Sequence, residues 1–362
     1  MSQATPTIEA VERCPVCGVR AHTVLLPARA GLGVVRCRGC KQVHATGQYA
    51  AEFLSEDYYA GRAERVRGDV TERPGSARKR RNAALYDRLS IGRIGRIGRI
   101  GRIGRGGQIG DARRDGRASP RALDIGCNTG LLLDVWREYG YQTEGIERSP
   151  AGEGALAAGH VVHALDIETH ELGLPRYDLI SMTHVLEHLR RPVSGLVWIR
   201  RHLAPAGLAV VEVPNWGDGL RPLWGRRYRP LELGDHVCFF ERGTLQAAAE
   251  RAGLTVLALW SAPQAGSVVI PSLLTGLDLG LELRARLSSR NHLTTGGDLS
   301  ASPGVAGTRV GGGNLAGTLR RALTPLVLAG LDSLDPALER VFGGQCPWGA
   351  NLVAILGTTT TG

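Results

Sequence analysis

The sequence is poor in three features that define large classes of proteins. It has seven cysteines in 362 residues, too few and too unevenly spaced for a disulfide scaffold. It contains no run of about 18 uncharged apolar residues, so we expect no transmembrane helix. The first residues include Glu9 and Glu12 and lack an apolar core, which argues against a secretory signal. We therefore expect a cytoplasmic protein.

Lysine is scarce as well, because only Lys41 and Lys79 accompany 42 arginines. The formal net charge of +10 would suggest a nucleic-acid partner if it were spread over a surface. Between Arg78 and Arg117, however, 13 basic residues stand against 3 acidic ones, and the rest of the chain has 31 of each. An Ile-Gly-Arg repeat at 91–105 supplies five of these basic residues. The charge therefore belongs to one flexible segment, and we do not expect nucleic acid as the partner.

Composition and patterning divide the chain into five parts. We expect a zinc ribbon at 1–47, a helical and flexible basic linker at 48–120, a core domain at 121–263, an insertion at 264–349, and a final strand and tail at 350–362. Short apolar runs alternate with helical patterns in the core, which predicts an α/β fold with a parallel sheet. We expect the insertion to be partly disordered. Its apolar parts suit a buried extension, a dimer surface or a peripheral membrane contact.

Four cysteines have the spacing of a metal site. Cys14 and Cys17 form one C-x2-C pair, Cys37 and Cys40 form another, and nineteen residues separate the pairs. Each pair lies on a tight turn that points two thiolates at one centre, and two such turns complete a tetrahedral shell. The intervening segment is strand-like at both ends, as in a zinc ribbon. A closed four-thiolate shell leaves no position for water, so the zinc is expected to be structural.

A glycine-containing turn at 126–130 follows an apolar strand that ends near Asp124. Gly126 and Gly130 let the backbone approach a ligand closely. The next strand ends in Glu147, 23 positions after Asp124, where a carboxylate can accept both ribose hydroxyl hydrogen bonds of an adenosine. These features predict the nucleoside-binding first unit of a doubly wound fold.

The segment Asp124-Ile-Gly-Cys-Asn-Thr-Gly130 resembles the first motif of class I S-adenosylmethionine-dependent methyltransferases. The resemblance covers about residues 121–263 plus the final strand, and it implies a Rossmann-like fold with a seven-stranded, mostly parallel sheet. Asn128 replaces the second glycine of the commonest pattern, and asparagine tolerates a positive φ better than other non-glycine residues. The alternative, a dinucleotide-binding dehydrogenase, would need a full G-x-G-x-x-G, which this turn lacks.

The resemblance implies S-adenosylmethionine as cofactor and assigns its contacts by position. The turn lines the methionine part, Glu147 holds the ribose, Asp166 and Ile167 lie along the adenine, and Met182 and Thr183 close the pocket. The implied cofactor-binding residues are Asp124, Gly126, Cys127, Asn128, Gly130, Glu147, Asp166, Ile167, Met182 and Thr183.

A helix is expected directly after the fourth strand, and it begins His184-Val-Leu-Glu187-His188. On a helix these polar residues share one face, and H-x-x-E-H is also a zinc-protease pattern. A protease would need further ligands that the sequence does not offer. Within methyltransferases, the Glu-His pair resembles a signature of small-molecule O-methyltransferases related to ubiquinone and sugar modification, which implies a histidine near the acceptor.

An attacking hydroxyl must lose its proton, and an unperturbed imidazole titrates near pH 6.5. We expect His188 as the base and His184 as the second candidate. Two alternatives stay open: a divalent ion held by His184, Glu187 and His188, and a purely structural role for Glu187 and His188. His236 is a third candidate, since related methyltransferases carry a similar acidic-His-x-x-Phe run over the acceptor pocket. Asn215 and Trp216 are further pocket candidates.

These features predict a methyltransferase that acts on a small or medium acceptor, with a hydroxyl or a sugar carbon favoured and nitrogen left open. One rival is an RNA base methyltransferase that uses its ribbon to bind RNA. The neutral remainder of the chain and the lack of an Asn/Asp-Pro-Pro-aromatic motif argue against it. Another rival is a zinc-ribbon scaffold that no longer binds the cofactor.

Overall fold

The described part of the chain forms two sheets, with helices packed on the larger one. A computed structural model describes residues 13–29, 31–46, 119–170, 173, 175–219, 221–224, 228, 231, 235–262, 349 and 351–358. The Ile-Gly-Arg repeat and nearly all of the expected insertion lie outside these residues. No helix in the described segments has the length and apolar character needed to span a bilayer.

The larger sheet has seven strands in the order β10-β11-β8-β7-β4-β5-β6. These strands are β4 (Arg121–Ile125), β5 (Gln142–Ile146), β6 (Val161–His163), β7 (Tyr177–Thr183), β8 (Leu203–Pro214), β10 (Thr255–Ala262) and β11 (Asn351–Gly357). All neighbours from β8 to β6 are parallel, and β11 runs antiparallel to both β8 and β10. The Rossmann-like, mostly parallel α/β fold predicted from the sequence is confirmed.

Helices connect these strands as the alternating pattern predicts. They are α1 (Leu131–Glu138), α2 (Gly152–Ala157), α3 (Pro192–His202), α4 (Arg221–Trp224) and α5 (Arg242–Arg251). Apolar clusters lie on both faces of the sheet: Leu196 and Ile199 of α3 belong to one, and Trp136 of α1 to the other. The central strands are buried on both sides, which explains their nearly continuous apolar runs.

The smaller sheet has the order β1-β2-β3-β9 and is antiparallel throughout. Its first three strands are β1 (His22–Arg29), β2 (Leu32–Cys37) and β3 (Val43–Thr46), from the N-terminal segment. Its fourth strand, β9 (Cys238–Phe239), comes from the region between β8 and α5. The N-terminal segment is therefore joined to the larger unit by backbone hydrogen bonds as well as by side-chain packing.

The prediction of a helix that begins at His184 is wrong. Only a three-residue 3-10 helix forms, at Leu186–His188, before α3 begins with a proline in its first turn. His184 has φ 55°, outside the helical region, and Leu189 is extended with ψ 136°. The turn therefore breaks at both ends, and its polar residues do not stack along one helix face.

Histidine burial in the small sheet predicts an acid-sensitive stability. Burial lowers the pKa of the fully buried His44 to about 4, from 6.5. Between pH 4 and 6.5 the His44 imidazole is therefore protonated in the unfolded chain and neutral in the folded chain. The free energy of unfolding falls as the pH drops from 6.5 to 4. The shift corresponds to about 3 kcal/mol at most. Urea unfolding of His44→Gln should show a flatter dependence on pH than the wild type. Parallel curves would contradict this prediction.

Candidate active site

The turn after β4 takes the backbone conformation that the motif requires. Gly126, Asn128 and Gly130 have φ of 76°, 51° and 82°, so the prediction that Asn128 adopts a positive φ is confirmed. The Asn128 side chain stabilises the turn by accepting the Thr129 N–H at 2.7 Å. The N–H groups of Gly126 and Cys127 donate to the Ile146 carbonyl, which ties the turn to the end of β5.

Glu147 lies against this turn. Its Oε2 accepts the Asn128 N–H at 2.9 Å, and its Oε1 accepts the Ser149 N–H at 2.8 Å. Asp166 lies farther along the edge, where it accepts the Glu168 N–H at 2.8 Å and pairs with Arg148 at 3.1 Å. A carboxylate beside a narrow left-handed turn has the chemistry to hold a nucleoside ribose, so these residues fit S-adenosylmethionine.

The other implied cofactor residues lie deeper in the sheet. Asp124 is buried and accepts the Ser181 hydroxyl at 2.8 Å. Cys127, Ile167 and Met182 are also buried, and Met182 is fully so. Thr183 ends β7, the strand beside β4, and keeps partial exposure. The buried side chains pack within the protein interior, whereas Thr183 is exposed enough for a ligand contact.

A buried carboxylate joins three histidines where β7 ends. Glu187 is 1% exposed, and its Oε1 lies 3.2 Å from Nδ1 of His184. The rings of His188 and His236 meet edge to face, with centroids 4.8 Å apart. Nδ1 of His188 lies 2.9 Å from the carbonyl oxygen of Asp235. The structure therefore brings together all three histidines that the sequence analysis selected.

His184 occupies a supporting position within this group. Nδ2 of Asn351 lies 3.2 Å from its Nε2 and also donates to Oε1 of Glu212 at 2.7 Å. Glu212 and Asn351 are both buried, and sequence reasoning did not select them. A signal was present, because Glu212 is the only charge in the apolar run Leu208–Val213.

Ligand atoms of Glu187, His188 and His236 all lie within 4.8 Å of one another, a donor set that can hold a divalent cation. The structure thus groups His236, rather than the expected His184, with the other two residues. Oε2 of Glu187 is buried and has no hydrogen-bond partner among the described residues. A cation or a hydrogen-bond donor bound at this position would therefore give the buried Oε2 of Glu187 a partner.

Burial alone would raise the pKa of Glu187, but the hydrogen bond from His184 and the neighbouring imidazoles lower it to about 2. Burial lowers the pKa of His236 to about 4, only partly opposed by the Glu187 carboxylate. At neutral pH the site therefore pairs an ionised carboxylate with a neutral His236.

Asn215 and Trp216 support the loop after β8. The Asn215 side chain donates to the Gly349 carbonyl at 2.7 Å and accepts the Gly217 N–H at 2.9 Å. The Trp216 ring is buried, packs on Phe239 at 5.2 Å and carries the Arg221 guanidinium above it at 4.1 Å. These contacts give both residues a role in holding the loop that precedes the His236 region.

The cysteine quartet (Cys14, Cys17, Cys37 and Cys40) converges as the spacing predicts. The Sγ atoms of Cys14 and Cys40 are 3.5 Å apart, as are those of Cys17 and Cys37. All four sulfurs lie within 4.8 Å of one another. A tetrahedral shell with Zn–S bonds of about 2.3 Å places its sulfurs about 3.8 Å apart, so the quartet fits zinc.

Comparison with known proteins gives a family match over half of the chain. Residues 78–259 match the family model described as "Methyltransferase domain". The ubiquinone biosynthesis O-methyltransferase of Aeromonas salmonicida (strain A449) is 29% identical over 161 residues, which cover 39% of this chain and 65% of that protein. The protein of the same description from Bradyrhizobium sp. (strain ORS 278) is 31% identical over 126 residues, with coverages of 32% and 50%.

The chain spans between about half and two thirds of the length of these curated relatives. Among solved structures, a SAM-dependent methyltransferase from Archaeoglobus fulgidus aligns with 67% of this chain and 90% of its own length. That alignment has 15% sequence identity and a TM-score of 0.38.

The packing beneath the turn predicts a specific intolerance at Gly145. A Cβ built there would lie 2.4 Å from Sγ of Cys127 and 3.1 Å from Cδ1 of Leu133. We expect Gly145→Ala to lower the free energy of unfolding by about 1–3 kcal/mol, because the turn must move. Adding Cys127→Ala should restore part of this loss. The measurement is urea unfolding monitored by circular dichroism.

Gly243→Ala is the matched control, since a Cβ there meets nothing within 4 Å and the residue lies in α5. Alanine should leave stability unchanged or raise it by up to about 1 kcal/mol. A Gly145→Ala protein as stable as the wild type would show that the turn does not depend on this contact.

Proposed function

The chain belongs to the methyltransferase-domain family, and we propose that it transfers a methyl group from S-adenosylmethionine to a small or medium acceptor, most readily a hydroxyl or a sugar carbon. The observation that carries this proposal is the histidine and carboxylate group at the end of β7, one strand from the glycine turn. This arrangement supports the proposal, because the candidate base and the candidate nucleoside-binding turn both follow the carboxyl ends of neighbouring parallel strands.

In this proposal the glycine turn and Glu147 hold the cofactor. When bound, the cofactor would supply an electrophilic methyl group, whose bond to the sulfonium sulfur breaks and leaves a neutral thioether as the bond to the acceptor forms. Glu147, whose Oε2 now accepts the Asn128 N–H, would hold the cofactor by accepting hydrogen bonds from the ribose hydroxyls. Gly126 and Gly130, both with positive φ and no Cβ, would let the turn backbone approach the methionine part closely.

His188 is the proposed base. A carbonyl oxygen only accepts hydrogen bonds, so the contact with Asp235 requires the proton on Nδ1 of His188 and leaves the lone pair of the neutral ring on Nε2. Partial exposure of His188 leaves the ring accessible to an acceptor. As the acceptor oxygen or carbon attacks the methyl group, its proton passes to Nε2, and the ionised Glu187 stabilises the imidazolium that forms.

The other two histidines suit different roles. The pKa of about 4 makes His236 a weak base, so we assign it to contact with the acceptor. Both nitrogens of His184 have partners, Glu187 on one side and Asn351 on the other, which suits a positioning role. This division leaves His188 as the residue best able to take a proton.

We assign the cysteine quartet to structural zinc. The four thiolates form a closed shell, which has no position for a substrate or a water. Two of the sulfurs are buried and the other two are partly covered, as expected for a site that supports folding.

Glu147→Gln tests the cofactor assignment. The variant loses the charge that strengthens the ribose hydrogen bonds, and charged hydrogen bonds are worth about 1.5–3 kcal/mol. We expect the dissociation constant for S-adenosylmethionine to rise by about 10- to 100-fold in titration calorimetry. Glu153→Gln, at an exposed position of α2, is the control and should bind as the wild type does. Unchanged binding by Glu147→Gln, or no binding by the wild type, would refute the assignment.

His188→Gln tests the base. General-base catalysis contributes about 100- to 10,000-fold, so turnover should fall by that order while calorimetry finds the same affinity for S-adenosylmethionine. The assay follows transfer of a labelled methyl group to a panel of phenols, hydroxylated sugars and nucleotide sugars. His170→Gln, at an exposed position, is the control and should retain full turnover. Wild-type turnover by His188→Gln would rule out the proposed base.

A further inference from the structure

The segment that carries His236 is anchored first to the catalytic turn. We call residues 235–241 the His236 segment. The Val237 N–H donates to the Glu187 carbonyl at 2.8 Å, and the Asp235 carbonyl receives the His188 imidazole at 2.9 Å. A displacement of this segment would therefore move His236 itself and would also remove the contact that sets the tautomer of His188.

The opposite side of the same segment is held by the N-terminal ribbon, defined as residues 13–46. Strand β9 pairs with β3 through His44 opposite Cys238 and Val43 opposite Phe239. The Ala45 N–H adds a bond to the Val237 carbonyl at 2.9 Å. Val237 thus gives its N–H to the catalytic turn and its carbonyl to the ribbon, which makes it the direct link between them.

Gln42 connects this pairing to the metal-binding turn. The side chain is fully buried, and its Nε2 donates to the carbonyls of Val43 at 2.8 Å and Phe239 at 3.0 Å. The main-chain carbonyl of Gln42 accepts the N–H of Cys37 at 2.9 Å. Gln42 also follows Cys40 by only two residues. The backbone that holds β9 is therefore part of the turn that presents two of the four thiolates.

Arg36 is the second ribbon residue, after Gln42, whose side chain holds the His236 segment. We call Gln42 and Arg36 the clamp residues. The Arg36 guanidinium binds both carboxylate oxygens of Glu241, at 2.8 and 2.7 Å, and Glu241 in turn caps the start of α5. Both side chains are about 30% exposed, so the pair adds geometric specificity more than stability. The far end of the segment is fixed to the larger unit, because the Trp216 N–H donates to the Phe240 carbonyl at 2.8 Å.

We infer that the metal-binding ribbon positions His236 and His188 on the acceptor side of the active site, with Gln42 and Arg36 as the positioning residues. The cysteine quartet shapes the turn that carries Gln42, β3 holds β9, and Val237 passes the constraint to Glu187 and His188. The inference rests on the proposed function only in taking these histidines as the acceptor side. None of the contacts that carry it involves the glycine turn or Glu147.

The experiment uses the full chain with zinc bound and needs no acceptor. Long-range proton–nitrogen NMR of 15N-histidine-labelled protein reports the tautomer and environment of each ring, and calorimetry reports affinity for S-adenosylmethionine. The wild type should contain one zinc per chain and a His188 ring protonated on Nδ1. Gln42→Met removes both Nε2 hydrogen bonds at similar volume. It should shift the His188 and His236 signals and reduce the Nδ1-protonated population, while cofactor affinity stays within about twofold.

Two further samples keep the test decisive. Arg36→Gln breaks a partly exposed pair and should shift the same signals even if Gln42→Met folds poorly. Val24→Ala changes a ribbon side chain that is 62% exposed on β1, away from β9, and should leave all histidine signals unchanged. Removal of zinc by a chelator should reproduce the Gln42→Met spectrum and leave cofactor affinity intact.

Unchanged His188 and His236 signals in both clamp variants would overturn the inference. Loss of cofactor binding after zinc removal would also overturn it, because the ribbon would then support the whole fold rather than one side of the site. A chain that purifies without zinc would overturn the link to the cysteine quartet. Failure of the wild type to bind S-adenosylmethionine would instead refute the proposed function, and the histidine spectra would still report on positioning.

Discussion

The buried carboxylate of Glu187 is the constraint on which the histidine group at the end of β7 depends. An ionised group with 1% exposure is costly unless charges or donors surround it. His184, His188 and His236 supply that environment, and two separate parts of the chain hold them. His184 is braced by β11 through Asn351, and His236 is braced by the ribbon through β9. Both the final strand of the sheet and the N-terminal segment therefore converge on one carboxylate.

Much of the catalytic fold could be predicted because its signals are local. Apolar runs followed by polar ends identify the parallel strands, and the turn at 126–130 has a motif that requires positive φ at fixed positions. The sulfur cluster was predictable for the same reason, since C-x2-C geometry lies within each four-residue turn. The 3-10 turn at 186–188 was not predictable. Its sequence suits a helix, and what prevents the helix is the φ of 55° at His184, where β8 accepts the backbone N–H.

Contacts between distant residues explain what sequence reasoning missed. The pairing of β3 with β9 joins residues almost two hundred positions apart, and neither strand has a local pattern that names its partner. Gln42 looks like an ordinary surface residue in the sequence, yet its side chain is fully buried and donates a hydrogen bond to Phe239 of β9. Glu212 on β8 and Asn351 on β11 are diagonal neighbours whose side chains share a hydrogen bond, but their relation to His184 depends on the order of strands in the sheet. The histidines could be selected as candidates, whereas their division of labour required hydrogen-bond partners.

The position of β11 has a consequence for how the protein reaches this fold during synthesis. The strand lies between β8 and β10, yet residues 263–350 separate it from β10 in the chain. Residues 215–350 separate β8 from β11. At roughly 5–20 residues per second, the edge of β8 that pairs with β11 therefore stays without this partner for about 7–27 s of synthesis. Unpaired edges recruit other strands. The nascent chain thus passes through a stage in which His184, His188 and His236 are made but Asn351, which contacts His184, has not yet been synthesised.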